Sequence, residues 1–315
     1  MFRRVAGKIL SVIISLFVVS LAIFLILDLL PGDPAAILLG TSAREDTLEA
    51  LRHEMGLDMP LPVRYLDWLI AMLQGDFGTS LTYHVPVLSL VADRLWVTLP
   101  LTFLAIVFAA IIGIGSGSIA AFYRQGLFDR FARAMSHLGL AIPNFCLGLI
   151  LILLVSVTLG WLPAGGFPGW SSGLMEGTRA LVLPAIALSC SLGAVLFRVS
   201  RSVMIDMIRA DFVRTAFAKG VSRPSIIWRH ALPNALHPIL TVLGLQISLL
   251  IAGAILIESL FALPGMGQLV LNAMVQRDFV VLRTMVLFLS GAVILINGGI
   301  DLLQMAIDPR LRAGR

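Results

Sequence analysis

The side chains of this sequence best placed to engage another molecule lie between positions 204 and 236. The chemistry they offer is docking and helix capping. Asp211, Phe212, Val213, Arg214, Thr215, Ala216, Phe217, Ala218, Lys219, Gly220, Val221, Ser222, Arg223 and Pro224 follow one another there. Asp211 can accept backbone N–H groups as an N-cap, Gly220 suits the left-handed position that ends a helix, and Ser222 can cap a second helix with Pro224 in its first turn. The piece between is only two turns long. An isolated helix of that length is marginal in water, so it must pack on its own domain or on a second protein. Thr215, Ala216 and Ala218 leave room for close approach. Composition alone also fits a solvated basic loop that merely orients the chain.

Other chemistries find less support. No G-x-x-x-x-G-K-[ST] loop is present to cradle a nucleotide phosphate, and no soluble stretch is long enough for a nucleotide-binding domain. His53 and His84 fall in one segment and His137, His230 and His237 near another boundary, so no trio with metal-ligand spacing emerges. Cys146 and Cys190 sit in apolar windows without a C-x-x-C spacing and read as packing residues. No nucleophile and base pair stands out at membrane depth, which argues against an intramembrane enzyme.

The elements that must position the 204–236 segment are written in the hydropathy. Of 315 residues 58% are hydrophobic and 13% charged, and the mean hydropathy is +0.97. Several windows are apolar on every face for about 20 residues, the length that crosses a ~30 Å hydrocarbon core. The reading is an all-α integral membrane protein with about six transmembrane helices, at 9–30, 97–122, 137–159, 181–203, 238–257 and 282–303. The first follows Arg3, Arg4 and Lys8 but is too long for a signal peptide and lacks an A-x-A cleavage site.

Charge sets the orientation. The net charge of +5 comes from Lys and Arg in short segments between spans, which speaks against a nucleic-acid face. Arg124, Arg130 and Arg133 follow helix two, and Arg198, Arg201, Arg209, Arg214, Lys219, Arg223 and Arg229 follow helix four. Such residues mark the cytoplasmic side. The N-terminal cluster and Arg310, Arg312 and Arg315 fall on the same side, so both termini are expected to be cytoplasmic. Residues 31–96, 161–180 and 258–281 are then outside, the first with an acidic excess and with short helices at 46–55 and 62–73 that form a cap.

Within the spans, Gly113, Gly115 and Gly117 give a G-x-x-x-G spacing that favours helix packing. Pro143 with Asn144 in helix three and Pro184 in helix four are kink sites. Gln246 and Ser248 lie mid-span and should point toward a partner helix or a cavity. Asn144, Gln246 and Ser248 are the candidate pathway residues. Asp28 and Asp301 fall near span ends, where each can reach water or an interface.

The segment resembles the cytoplasmic loop of ABC-superfamily importer permeases, with the pattern E-A-A, three residues, Gly, nine residues, I-x-L-P. Here Ala216, Gly220, Leu232 and Pro233 match, while Arg214, Thr215 and His230 stand where the pattern has Glu, Ala and Ile. The R-T-A-x-A-K-G form looks like the peptide and nickel permease branch. Further matches run in order along the chain: Leu30-Pro31-Gly32-Asp33-Pro34, Gly56-Leu57-Asp58 with Pro60, and Gly75-Asp76-Phe77-Gly78. Glu258, Phe261, Pro264-Gly265-Met266-Gly267, Arg277-Asp278 and Asp308-Pro309-Arg310 complete the set.

That resemblance implies a type I ABC importer-like permease fold with a periplasmic cap after helix one. It divides the chain into a first span plus outer segment, 1–95, and a core permease domain, 96–308. It implies that Arg214, Thr215, Ala216, Phe217, Ala218, Lys219, Gly220 and Val221 form a coupling helix against an ATPase. The chain itself would hold no cofactor, ATP and Mg being bound by two ATP-binding cassette partner subunits. A homologous second permease and a periplasmic or lipoprotein substrate-binding protein would complete the assembly in the lipid of the bacterial inner membrane. The cargo is expected to be a short peptide, with a nickel complex as the alternative. An ion-coupled secondary carrier should instead show mid-membrane charges and an inverted repeat, and neither is seen.

Overall fold

The structure, a computed structural model, describes residues 2–28, 35–36, 44–54 and 56–307. The matches at 30–34 and 308–310 and the basic residues Arg310, Arg312 and Arg315 lie outside the described residues.

Helix α1 (Phe2–Asp28) is followed by two short helices, α2 (Glu45–Glu54) and α3 (Leu61–Leu73), within a residue of the expected cap helices. Then come α4 (Val87–Phe122), α5 (Leu127–Ala141), α6 (Asn144–Thr158) and α7 (Leu174–Arg209). The chain continues with α8 (Asp211–Ala218), α9 (Arg223–Leu260), α10 (Met266–Val275) and α11 (Phe279–Ile307). Among the described residues five helices, α1, α4, α7, α9 and α11, are long and apolar enough to cross a membrane, and the bent pair α5 and α6 brings the number to six if it is counted as one span. Five to six candidate spans match the expectation of about six.

Several boundaries differ from the sequence reading: α7 extends past both expected ends, and α9 begins at Arg223 and not at 238. Helix α4 begins at Val87, not 97, because Val87 and Val91 form a stripe one turn apart that packs on Leu269 and Ala273 of α10 and Met285 of α11. The third span is not one kinked helix over 137–159. Helix α5 starts at Leu127, and the turn at Ile142–Pro143 bends α6 away by 105°. Pro143 has no N–H to donate and holds Ile142 extended, at φ −88° and ψ 120°. Pro184 produces no break, since α7 runs on through it for 36 residues.

Helix α7 is the centre of the bundle. Its most apolar window is 72% buried, against 17% for α1. It packs on α4 at Gly113 and Gly117, where an added Cβ would stand 2.6 Å from the Gly193 carbonyl oxygen and 2.7 Å from that of Phe197. The G-x-x-x-G pair is therefore a packing device, as its spacing suggests. On another side Leu188 and Leu192 meet Leu250, Ala254 and Ile257 of α9 in the same core.

A second cluster ties the cap to α1 and α11. The Tyr65 hydroxyl meets Ser20 Oγ at 2.9 Å, and its ring lies edge-on to Phe24 with centroids 5.3 Å apart. Asp278 ahead of α11 accepts hydrogen bonds from Ser80 Oγ at 2.6 Å and Thr82 N at 3.1 Å, which pins the 75–86 turn onto the bundle. The cap thus marks one end of the molecule, and the arginines around α8 mark the other.

Candidate functional site

Helix α8 leaves the end of α7 through Ala210, whose extended backbone (ψ 150°) turns the chain. Ala210, not Asp211, is the N-cap, and neither α8 nor the helix after it has a side-chain cap. The expected cap at Asp211 is corrected accordingly, while Ser222 does hold the N-cap position of the next helix without a side-chain hydrogen bond. Asp211 falls inside the first turn, where its charge favours the helix dipole, and it faces Arg214 at 3.7 Å. Pro224 does occupy the first turn of α9.

The far end of α8 is closed by a Schellman motif. Val221 N donates to the Ala216 carbonyl at 3.2 Å and Gly220 N to that of Phe217 at 3.0 Å. Gly220 has φ +76°, the left-handed conformation that this closure requires.

The helix has two faces. Val213 and Ala216 are buried in a small cluster with Ile226, against which Val221 and Phe122 pack. Arg214, Thr215, Ala218, Lys219 and Gly220 are exposed, as are Phe212 and Phe217 at 42% and 43%. Of the eight residues singled out by sequence, Ala216 and Val221 therefore serve the bundle, and six are open to a partner. The Phe217 ring also stacks on Phe122 at the end of α4, and the Arg223 guanidinium lies 5.9 Å from the Phe122 centroid.

Beside this cluster, α5 is fastened to α7 by a fork that the sequence reading missed. Arg201 Nε and Nη2 donate to the two carboxylate oxygens of Asp129 at 2.6 and 2.8 Å. Asp129 is fully buried and also accepts Gln125 N at 2.9 Å. The available signal was one acid among Arg124, Arg130 and Arg133.

The three candidate pathway residues do not converge. Ser248 accepts a hydrogen bond from Asn297 Nδ2 of α11 at 3.0 Å. Asn144 lies at the α5–α6 elbow beside Gly253 of α9, and its buried Oδ1 has no hydrogen-bond partner among the described residues. Residues 248 and 253 are five apart, about 140° around α9, so they face different neighbours. Gln246 is half-buried.

At the cap end, Glu258 forms a latch. Its carboxylate is fully buried and accepts Thr98 Oγ1 at 2.6 Å and Gly267 N at 2.7 Å, while Met266 N donates to Thr98 Oγ1 at 2.9 Å. It thereby satisfies N–H groups at the start of α10. Any side chain at Gly265 would overlap that carboxylate. The Pro264-Gly265-Met266-Gly267 run reads as a turn by sequence, and its partner is an acid several residues earlier.

A helical body of five to six candidate spans, with a short two-faced helix offered at one end, defines a multi-pass membrane protein. Residues 113–313 match the family described as binding-protein-dependent transport system inner membrane component. Residues 1–102 match its N-terminal membrane component. The chain belongs to this family, and membership implies work with a substrate-binding protein and an ATPase. A probable peptide ABC transporter permease protein, y4tP of Sinorhizobium fredii (strain NBRC 101917 / NGR234), is 38% identical over 305 residues, 97% of each chain. The glutathione transport system permease protein GsiC of Escherichia coli (strain K12) is 37% identical over 312 residues, 99% of each. Among solved structures, an inward-facing form of the MetNI methionine ABC transporter matches with a TM-score of 0.58 and 20% identity, over 70% of this chain and 96% of that one. That likeness bears on the fold alone.

Proposed function

We infer that this chain is the permease subunit of an ATP-driven importer of short peptides in a bacterial inner membrane, with α8 as its coupling helix. The observation that carries the reading is the division of α8 into a face fixed to the bundle by Val213 and Ala216 and a face that leaves two phenylalanine rings exposed. Exposed rings on a helix too short to stand alone suit a cleft on a second protein. Because α8 is continuous with α7 and α9, a shift of that cleft would move both. ATP and Mg would be bound by the two partner ATPases, which drive the switch by favouring their closed state over their open one.

The arginine-rich end would then face the cytoplasm with both termini, and the cap would face the binding protein. A homologous second permease would complete the pathway, with Asn144 at the elbow as this chain's candidate contact. The names of the relatives, a peptide permease and a glutathione permease, support peptide cargo over a nickel complex.

Single cysteines at Ala218 and Lys219, cross-linked in the assembled importer, test the reading. The expected product joins this chain to the nucleotide-hydrolysing subunit. Labelling of those positions only by an impermeant reagent added outside the cell would reverse the assignment.

A further inference from the structure

Between the cap and the ends of α1 and α11 lies a cavity of about 850 Å³, remote from α8. Its inner wall carries Arg283, whose guanidinium lies 4.7 Å from the Phe24 ring centroid and 5.5 Å from that of Trp68. The rings attract the cation through their π-electrons but satisfy none of its N–H groups with an ordinary hydrogen bond. Among the described residues its buried Nε has no hydrogen-bond partner and no carboxylate lies within ion-pair distance of it. Asp28, which faces the same space, is taken by Arg64 at 2.6 Å. A guanidinium held this way lacks an oxyanion. Asp58, Asp67 and Asp76 are exposed along the outer lining and outnumber the half-buried Arg52 there.

We propose that this cavity binds a small zwitterion, its oxyanion on Arg283 and its ammonium toward Asp58 and Asp67. The volume suits a ligand of that size. Unpaired positive charge inside and negative charge at the rim fix the direction in which it enters. Two sources carry this chemistry: the free ends of a short peptide, and the ethanolamine phosphate headgroup of a lipid at the level where α1 ends and α11 begins. The site stands independently of the coupling role of α8.

The test uses the full importer complex in detergent, titrated with dialanine, with dialanine capped at both ends, and with short-chain phosphatidylethanolamine and phosphatidylglycerol. Thermal unfolding of this chain gives apparent affinities. Dialanine, phosphatidylethanolamine or both should raise the midpoint, and the winner names the source. The capped peptide and phosphatidylglycerol should bind about tenfold more weakly, and R283Q should lose about tenfold for the active zwitterion. Should R283Q not fold, D58N combined with D67N, both at exposed positions, should abolish the preference for dialanine over its N-acetylated form. No response to either zwitterion, equal response to the capped peptide and phosphatidylglycerol, or unaltered binding in the folded variants overturns the proposal.

Discussion

The ring of Phe217 on α8 stacks on that of Phe122 at the end of α4, with centroids 6.2 Å apart and planes inclined by 29°. Helix α8 therefore touches three long helices: α7 and α9 through the chain, and α4 through this pair. Since α4 is locked to α7 by backbone-level contact at Gly113 and Gly117, a push on α8 would reach a unit of packed helices, not a hinge at one loop.

Phe122→Ala should separate attachment from transmission. The exposed side of α8 stays intact, so the ATPase partner should still co-purify, while uptake per ATP hydrolysed falls several-fold. Phe217→Ala should reduce both, because that ring belongs to both surfaces. Equal coupling ratios in F122A and wild type, measured in proteoliposomes, would remove the α4 route.

Gly220→Val places a branched side chain at φ +76°, where L-residues are strained by about 1–2 kcal/mol. Nothing lies within 4 Å of the added Cβ, so the cost is conformational and not a clash. The expected result is a frayed Schellman end, weaker ATPase association and uptake uncoupled from hydrolysis, with little change in the thermal stability of the bundle. Normal transport by G220V would count against α8 as the coupling element.

How much of this was legible beforehand depends on what kind of information each feature needs. The spans were readable because apolar length is local, and the cap helices because Pro60, Pro62 and the acids at 45 and 46 mark their starts. The start of α4 was hidden by Asp93 and Arg94, whose polarity outweighed the short apolar stripe of Val87 and Val91, buried only because α10 and α11 pack on it. The elbow was visible as Pro143, but its 105° angle depends on which helices α6 meets. At the candidate site, Gly220 was legible because its backbone need is local, whereas the partners Phe122–Phe217, Asp129–Arg201 and Thr98–Glu258 are 72 or more residues apart and were not.

The glycines of α4 allow a sharp comparison. Gly113→Ala and Gly117→Ala each drive a methyl into the backbone of α7 and should destabilise by about 1–3 kcal/mol. Gly115→Ala meets nothing within 4 Å and should be neutral or slightly stabilising, since alanine is the better helix former. Midpoints of thermal unfolding in one detergent decide it, and equal loss in all three would deny that this face packs on α7.

Asp129→Asn removes the charge that two guanidinium nitrogens of Arg201 bracket. Breaking a buried pair from one side costs about 3–5 kcal/mol, and the lower end applies because Arg201 keeps 20% exposure. Arg201→Lys should recover little, since an ammonium cannot span both carboxylate oxygens. Should D129N unfold at the wild-type midpoint, the fork contributes nothing to holding α5 on α7.

The Glu258 latch should show strong coupling with Gly265. Glu258→Ala leaves Thr98 Oγ1 and Gly267 N without their acceptor, at about 1–3 kcal/mol for each group left unsatisfied. Gly265→Ala should be similarly costly for a different reason, because its methyl occupies the space of the carboxylate. Removing the carboxylate makes room for that methyl, so the double variant should be less destabilised than the sum of the two singles. Groups in direct contact show such interaction energies, whereas independent sites add. A double-mutant cycle on unfolding midpoints measures the difference. Strict additivity would mean that Glu258 and the Gly265 turn act separately, and that the start of α10 is held by something other than this carboxylate.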